Sequence, residues 1–109
     1  MQNNLFDLTN KVAIITGGAG LLGSEHAIAL ASQGAKIVMA DFNEEKCNEA
    51  CNILKEQQIQ ATSKFCDVTK KESWQNLRDE VINEFGKIDI LINNAGFTNQ
   101  SKSANFDAS

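Results

Sequence analysis

The feature that most constrains this chain is an apolar run, Val12-Ala13-Ile14-Ile15, that passes straight into Thr16-Gly17-Gly18-Ala19-Gly20-Leu21-Leu22-Gly23 and then into Ser24-Glu25-His26-Ala27-Ile28-Ala29-Leu30-Ala31. A short β-branched run, a cluster of glycines and a helix-permissive segment predict a strand, a tight turn and a helix. Glycine tolerates positive φ and carries no Cβ. The backbone can therefore turn sharply and bring a pyrophosphate against free N–H groups at the positive end of a helix dipole. A glycine one turn into the helix permits close packing on the strand. Gly18, Gly20 and Gly23 spell GxGxxG, while Gly17, Gly20 and Gly23 spell TGxxGxxG. Either pattern alone also describes a glycine-rich turn with no ligand, and the strand before it and helix after it favour the phosphate site.

The remaining punctuation repeats the same unit. Helix one is expected from Leu21 to Gln33 with Gly34 as its stop, followed by a second apolar strand, Lys36-Ile37-Val38-Met39-Ala40, ending on Asp41. Asn43 caps a second helix over 44–58, where Cys47, Ala50, Cys51 and Leu54 make a core-facing stripe. A weaker strand over 61–66 reads as a sheet edge. Thr69 and Glu72 have the spacing of a capping box, opening a third helix to Phe85 with Gly86 as its stop. Ile88 to Ile92 form a fourth strand leading into Asn93-Asn94-Ala95-Gly96. Residues 1–10 read as a lead-in whose Leu5, Phe6 and Leu8 rest on the sheet, and 97–109 as a polar loop or frayed tail.

Four strands alternating with three helices predict an α/β fold, a partial Rossmann-type doubly wound parallel sheet of order 3-2-1-4. With that order, helices one and two share one face and helix three covers the other. The fourth strand is then an apolar edge where an interior strand is expected. At 109 residues there is room for one domain.

Asp41 lies about twenty residues beyond the glycines, where a dinucleotide fold needs a carboxylate for the adenosine ribose hydroxyls. The competing role, an acid at a helix N-terminus, is already supplied by Glu44 and Glu45. His26, the one histidine, reads as structural rather than as a ligand or base. Cys47 and Cys51 read as small buried apolar residues rather than metal ligands, and with Cys66 they form no CxxC. Trp74 with Leu77, Val81 and Phe85 reads as core packing rather than a partner groove. A net charge of −4 argues against nucleic acid and anionic membrane surfaces. The polar start lacks a secretion signal and no stretch is long enough to span a bilayer, so a cytoplasmic location is expected.

Taken together, Thr16 to Gly23, Asp41, Asp67-Val68 and Asn93-Asn94-Ala95-Gly96, in this order and spacing, resemble the N-terminal, cofactor-binding half of a short-chain dehydrogenase/reductase over about Leu8 to Gly96. The resemblance implies that Gly17, Gly18, Gly20, Leu21, Leu22 and Gly23 surround the cofactor pyrophosphate and that Asp41 and Phe42 meet the adenosine ribose. It also implies that Asp67 and Val68 contact adenine and that Asn94, Ala95 and Gly96 border the cofactor. NAD is expected over NADP, because Asp41 is followed by Phe42 and Asn43 rather than arginine and Ala19 is uncharged.

Two features of the pattern point in different directions. The shorter enzymes of the family show TGxxxGxG, whereas Leu21 stands at the second glycine's place here; TGxxGxxG is more typical of the longer, sugar-nucleotide-modifying members, and Asn-Asn-Ala-Gly of the shorter ones. The stretch TGGAGLLGSEHA is also similar to short reductases of bacterial surface-sugar or flagellin modification, which would point to a sugar-related substrate. The family's chemistry needs Tyr-x-x-x-Lys, and the chain contains no tyrosine. The expectation is therefore the cofactor-binding portion of an NAD-dependent oxidoreductase acting on an alcohol or carbonyl substrate, not active alone and homo-oligomeric at full length. The alternatives are a non-catalytic NAD-binding or scaffold module, and part of a sugar-nucleotide epimerase or dehydratase.

Overall fold

A computed structural model of the chain describes residues 7–94. Its elements run β1 (Val12–Thr16), α1 (Leu21–Ser32), β2 (Lys36–Asp41), α2 (Glu44–Glu56), β3 (Ala61–Phe65), α3 (Lys71–Phe85) and β4 (Ile90–Asn93). The four strands pair in parallel in the order β3-β2-β1-β4, as the strand–helix alternation predicts. Every residue of β1 is buried, because both faces of this central strand are covered.

One core layer joins Ala13, Ile15, Ile37 and Met39 to Ala27 of α1 and to Cys47, Cys51 and Leu54 of α2. The opposite layer joins Val12, Ile14, Val38 and Ala40 to Leu77 and Val81 of α3, with Trp74 and Phe85 packed against it. The alternation of β1 and β2 thus sends one set of side chains to each layer. The α2 stripe is buried as expected, and all three cysteines are free and buried. A hydrogen bond with Cys51 lowers the Cys47 thiol to about 7, and the same bond together with burial raises Cys51.

Helix ends follow local chemistry. Gly34 and Gly86 adopt φ of 104° and 89°, the left-handed conformation that ends a helix. Asn43 caps α2 by accepting from Lys46 N–H at 3.0 Å. The capping box at α3 does not form, since the N-cap is Lys70 and makes no side-chain capping bond. Thr69 instead turns back: its N–H and hydroxyl both donate to Asp67 Oδ1, at 3.0 and 2.6 Å. An aspartate two residues before a threonine offers it a nearer acceptor than the helix does.

Strand four also differs from its expected span of 88–92. Ile88 and Asp89 stay outside β4, because the Asp89 carboxylate takes Val12 N–H at 2.8 Å and Asp89 N–H donates to Val12 O at 2.9 Å. The strand then extends to Asn93, opposite Thr16. It is the sheet edge, with Leu91 37% exposed. Leu8 of the lead-in packs on the α1/α2 layer and donates its N–H to Gln33 O at 2.7 Å. Lead-in residues 1–6, Leu5 and Phe6 among them, and the tail over 97–109 lie outside the described residues.

Candidate functional site

The glycine turn sits at the C-terminal end of β1, where a parallel sheet opens toward its ligands. Gly17 has φ of 72°, so the bend out of β1 begins in left-handed backbone. A Cβ at Gly18 would lie 3.0 Å from both Cβ and Cε of Met39, so the turn rests directly on β2. A Cβ at Gly23 would meet Gly18 Cα at 2.8 Å and Gly17 O at 2.9 Å. Gly20 is different: its φ of −84° suits any residue, and its nearest neighbour would be Gly17 O at 3.8 Å. Nothing inside the described fold requires glycine there.

Gly20 is the N-cap of α1 and supplies no side-chain cap, and no acidic residue stands in the first turn. The first helical N–H to find an acceptor is that of Ser24, which donates to Gly20 O at 3.2 Å. Leu21, Leu22 and Gly23 therefore present uncapped amides, and Leu21 and Leu22 turn 77% and 53% exposed side chains outward. Helix α2, by contrast, has the Asn43 cap with Glu44 and Glu45, and α3 has Glu72 in its first turn. An uncapped amide cluster at the positive end of a helix dipole binds anions.

Asp41 ends β2 beside this turn. Its Oδ2 accepts from Ala19 N–H and its Oδ1 from Asn43 N–H, both at 2.9 Å. Phe42 is 67% exposed, with its ring 6.2 Å from that of Phe65. Asp67 and Val68 follow β3 and are half-buried; Asp67 N–H donates to Ser73 Oγ at 2.9 Å. The Thr69 bonds hold the Asp67 carboxyl below the usual aspartate range. Asn94 continues from β4, its N–H donating to Thr16 O at 3.1 Å. Ala95 and Gly96 lie outside the described residues. The glycines, Asp41-Phe42, Asp67-Val68 and Asn94 thus line up along one edge of the sheet, at the ends of all four strands.

Four further residues have structural roles around the turn. Ala19 provides the N–H that meets Asp41. Met39 is the floor under Gly18. Thr16, fully buried, donates its hydroxyl to Asn93 Oδ1 at 2.7 Å and so ties β1 to β4 beside the turn. His26, expected to be structural, receives the Asn94 side-chain amide on Nδ1 at 3.3 Å, linking α1 to the end of β4. Thr16 stands in the glycine motif and His26 has the structural role expected of it, whereas the partners of Ala19 and Met39 emerge only from contacts 22 and 21 positions apart. Among the described residues no group of three or more side chains could hold a metal, and no helix is long and apolar enough to cross a membrane.

The short chain dehydrogenase family model matches residues 11–109. This chain belongs to the short chain dehydrogenase family. The 7alpha-hydroxysteroid dehydrogenase of Escherichia coli (strain K12) is 39% identical over 89 residues, which are 82% of this chain and 35% of that protein. The (S)-acetoin-forming diacetyl reductase of Staphylococcus epidermidis is 42% identical over 87 residues, 80% of this chain and 34% of that protein. Among solved structures, NAD+-bound xylitol dehydrogenase superimposes with a TM-score of 0.77 at 39% identity, over 83% of this chain and 35% of that one. The 2-keto-3-deoxy-D-gluconate dehydrogenase of Streptococcus agalactiae does so with a TM-score of 0.81 at 36% identity, over 90% of this chain and 37% of that one.

The chain thus spans about a third of the length of the curated relatives it matches. Membership supports the dehydrogenase/reductase class, with a nicotinamide dinucleotide as the family's cofactor and a small molecule as its substrate. It does not favour the scaffold or epimerase and dehydratase alternatives.

Proposed function

We propose that this chain forms the cofactor-binding part of an NAD-dependent short-chain oxidoreductase that moves a hydride between nicotinamide and an alcohol or carbonyl substrate. The observation that carries this reading is the bare N-terminus of α1 behind the glycine turn. The turn is crowded from beneath at Gly18 and Gly23, yet Gly20 has no internal reason to lack a side chain. A ligand approaching from outside supplies that reason, and a pyrophosphate matches both the uncapped amides and the helix dipole.

In this reading Gly17, Gly18, Gly20, Leu21, Leu22 and Gly23 surround the pyrophosphate through backbone N–H groups. Asp41 accepts from the adenosine ribose hydroxyls. Phe42 flanks the same ribose, Asp67 and Val68 border the adenine, and Asn94 with Ala95 and Gly96 borders the rest of the cofactor. Bound NAD would supply or accept the hydride. The work of these residues is to grip and orient it. With no tyrosine in the sequence, the Tyr-x-x-x-Lys acid/base pattern has no counterpart here, and hydride transfer by these 109 residues alone is not expected.

NAD rather than NADP follows from charge. At an effective dielectric near 20, like charges about 4 Å apart repel by about 4 kcal/mol, and exposure reduces this to about 1–2 kcal/mol, or roughly ten- to thirty-fold in affinity. Asp41 would impose that penalty on a 2′-phosphate, and neither Phe42, Asn43 nor Ala19 offers a compensating cation. The substrate is proposed as an alcohol or carbonyl compound, sugar-related if the similarity of TGGAGLLGSEHA extends to chemistry. Three free buried thiols suit a reducing compartment, so a cytoplasmic location belongs to the same proposal, as does homo-oligomeric assembly.

Calorimetry with NAD and NADP on the wild-type protein and on Asp41→Ala tests the reading. The expected result is tighter NAD binding by roughly ten- to thirty-fold, with the gap narrowed in the variant. Equal affinities in the wild type, or an unchanged gap in Asp41→Ala, would overturn it.

A further inference from the structure

The three successive N–H groups at the start of the glycine turn all end on the last two residues of β2. Gly17 and Gly18 both donate to Ala40 O, at 2.9 and 3.2 Å, and Ala19 donates to Asp41 Oδ2 at 2.9 Å. Two of these tethers are backbone to backbone and need no side chain. The third depends on one side chain.

We propose that Asp41 is a positioning residue for the turn itself: it holds Ala19, and through Ala19 the path from Gly18 to Gly20, in the shape that grips a pyrophosphate. This role is separate from any contact with ribose, and it rests on the dinucleotide reading above. A stretch of glycines is the least self-ordering backbone available, so its shape depends heavily on contacts from outside it. Close packing defines Gly18 against the Met39 side chain and Gly23 against the Gly18 backbone, but Ala19 and Gly20 lie between those anchors, where even a Cβ on Gly20 would meet nothing closer than 3.8 Å. Gly20 N–H donates to Gly17 O at 3.3 Å within the turn, and the Ala19–Asp41 bond, at 2.9 Å, is the shorter restraint on that gap and the one that a side chain supplies.

The carboxylate is well built for two tasks. Asn43 N–H holds Oδ1 at 2.9 Å while Ala19 N–H holds Oδ2, so the plane of the group is fixed from both sides. A carboxylate offers about four acceptor sites, and two remain for hydroxyl donors. Bonds from N–H to an ionised carboxylate are stronger than neutral ones. Swinging the anion away from an approaching 2′-phosphate would break both, so the same tether would sharpen discrimination between cofactors.

The test uses an NAD analogue whose adenosine ribose lacks both hydroxyls, measured by calorimetry on the wild type, Asp41→Ala and Asp41→Asn, together with hydrogen exchange at the Ala19 amide in the ligand-free proteins. If Asp41 orders the turn, Asp41→Ala weakens binding of this analogue by about tenfold and speeds Ala19 exchange. Asp41→Asn restores part of both, because its carbonyl oxygen can still accept from Ala19. If Asp41 acts only through ribose, the analogue binds wild type and Asp41→Ala alike. If it instead fills the anion site until ligand displaces it, Asp41→Ala binds the analogue more tightly. Either of those results overturns the proposal, as does unchanged Ala19 exchange. Should wild type bind no NAD, the functional reading fails, while Ala19 exchange still reports on the tether. Should Asp41→Ala fail to fold, Asp41→Asn decides on its own: retained slow exchange at Ala19 supports the tether and fast exchange overturns it.

Discussion

Gly23, in the first turn of α1, lies so close beneath Gly18 that a Cβ on Gly23 would stand 2.8 Å from the Gly18 Cα, with Gly17 O and Gly18 O at 2.9 and 3.0 Å. All three neighbours are backbone and cannot move aside as a side-chain tip could. Gly23→Ala must therefore push the turn off the helix, and a loss of about 1–3 kcal/mol in denaturant unfolding is expected, together with loss of NAD binding. Gly20→Ala is the contrast. Its methyl meets only Gly17 O at 3.8 Å, so stability should change by less than about 1 kcal/mol while NAD affinity falls, because the methyl projects where the ligand would sit.

Thr16 and Asn93 make a second, independent test of the site's frame. The Thr16 hydroxyl is fully buried and donates to Asn93 Oδ1 at 2.7 Å. Thr16→Val keeps the shape and removes the donor, and unfolding should report a loss of about 1–3 kcal/mol. Thr16→Ser should recover most of it. A neutral Thr16→Val would mean that the β1–β4 bond contributes nothing to the sheet.

Most of the architecture was legible because it depends on pattern alone. The unbroken apolar runs of β1 and β2, the glycine stops at Gly34 and Gly86 and the stripe from Cys47 to Leu54 each report burial or left-handed backbone directly. What stayed hidden depends on which neighbour wins a hydrogen bond. Thr69 and Glu72 have capping-box spacing, yet Asp67 takes both Thr69 donors. Ile88 and Asp89 continue an apolar strand pattern, yet the Asp89 carboxylate claims Val12 N–H and delays β4. At the site, the motif residues were legible and His26 was expected to be structural, but the partners of Ala19 and Met39 were not, since they lie 22 and 21 positions away in Asp41 and Gly18.

Asp89 also makes a prediction about acid. Val12 N–H, with Lys87 3.4 Å away, holds its carboxyl below the usual aspartate range. A carboxyl lowered by folding contributes stability above its unfolded value of about 3.9, and that stability is lost as pH falls through the lower folded value. Asp89→Asn should therefore melt lower than wild type at neutral pH, with the difference shrinking as pH drops below about 4. Thermal melts across the acid range check this. Asp7 and Asp67, each lowered by a threonine, leave a residual acid dependence in the variant.

The three thiols should be silent in the folded protein. Cys47, Cys51 and Cys66 are at most 2% exposed, so the lowered Cys47 thiol has no route to a bulky reagent. A colorimetric thiol assay should find no fast-reacting cysteine in the native protein and all three after denaturation. Rapid reaction of Cys47 without denaturant would show that α2 opens locally from the sheet.

The central claim is that the glycine turn and the open end of α1 hold a dinucleotide. Backbone amide shifts recorded while the protein is titrated with NAD test it most directly. The largest shifts are expected at Gly17 to Gly23, with further changes at Asp41, Phe42, Asp67, Val68 and Asn94, and none along the far ends of the helices. Absence of shifts at saturating NAD, or shifts confined to residues away from that edge of the sheet, would contradict it.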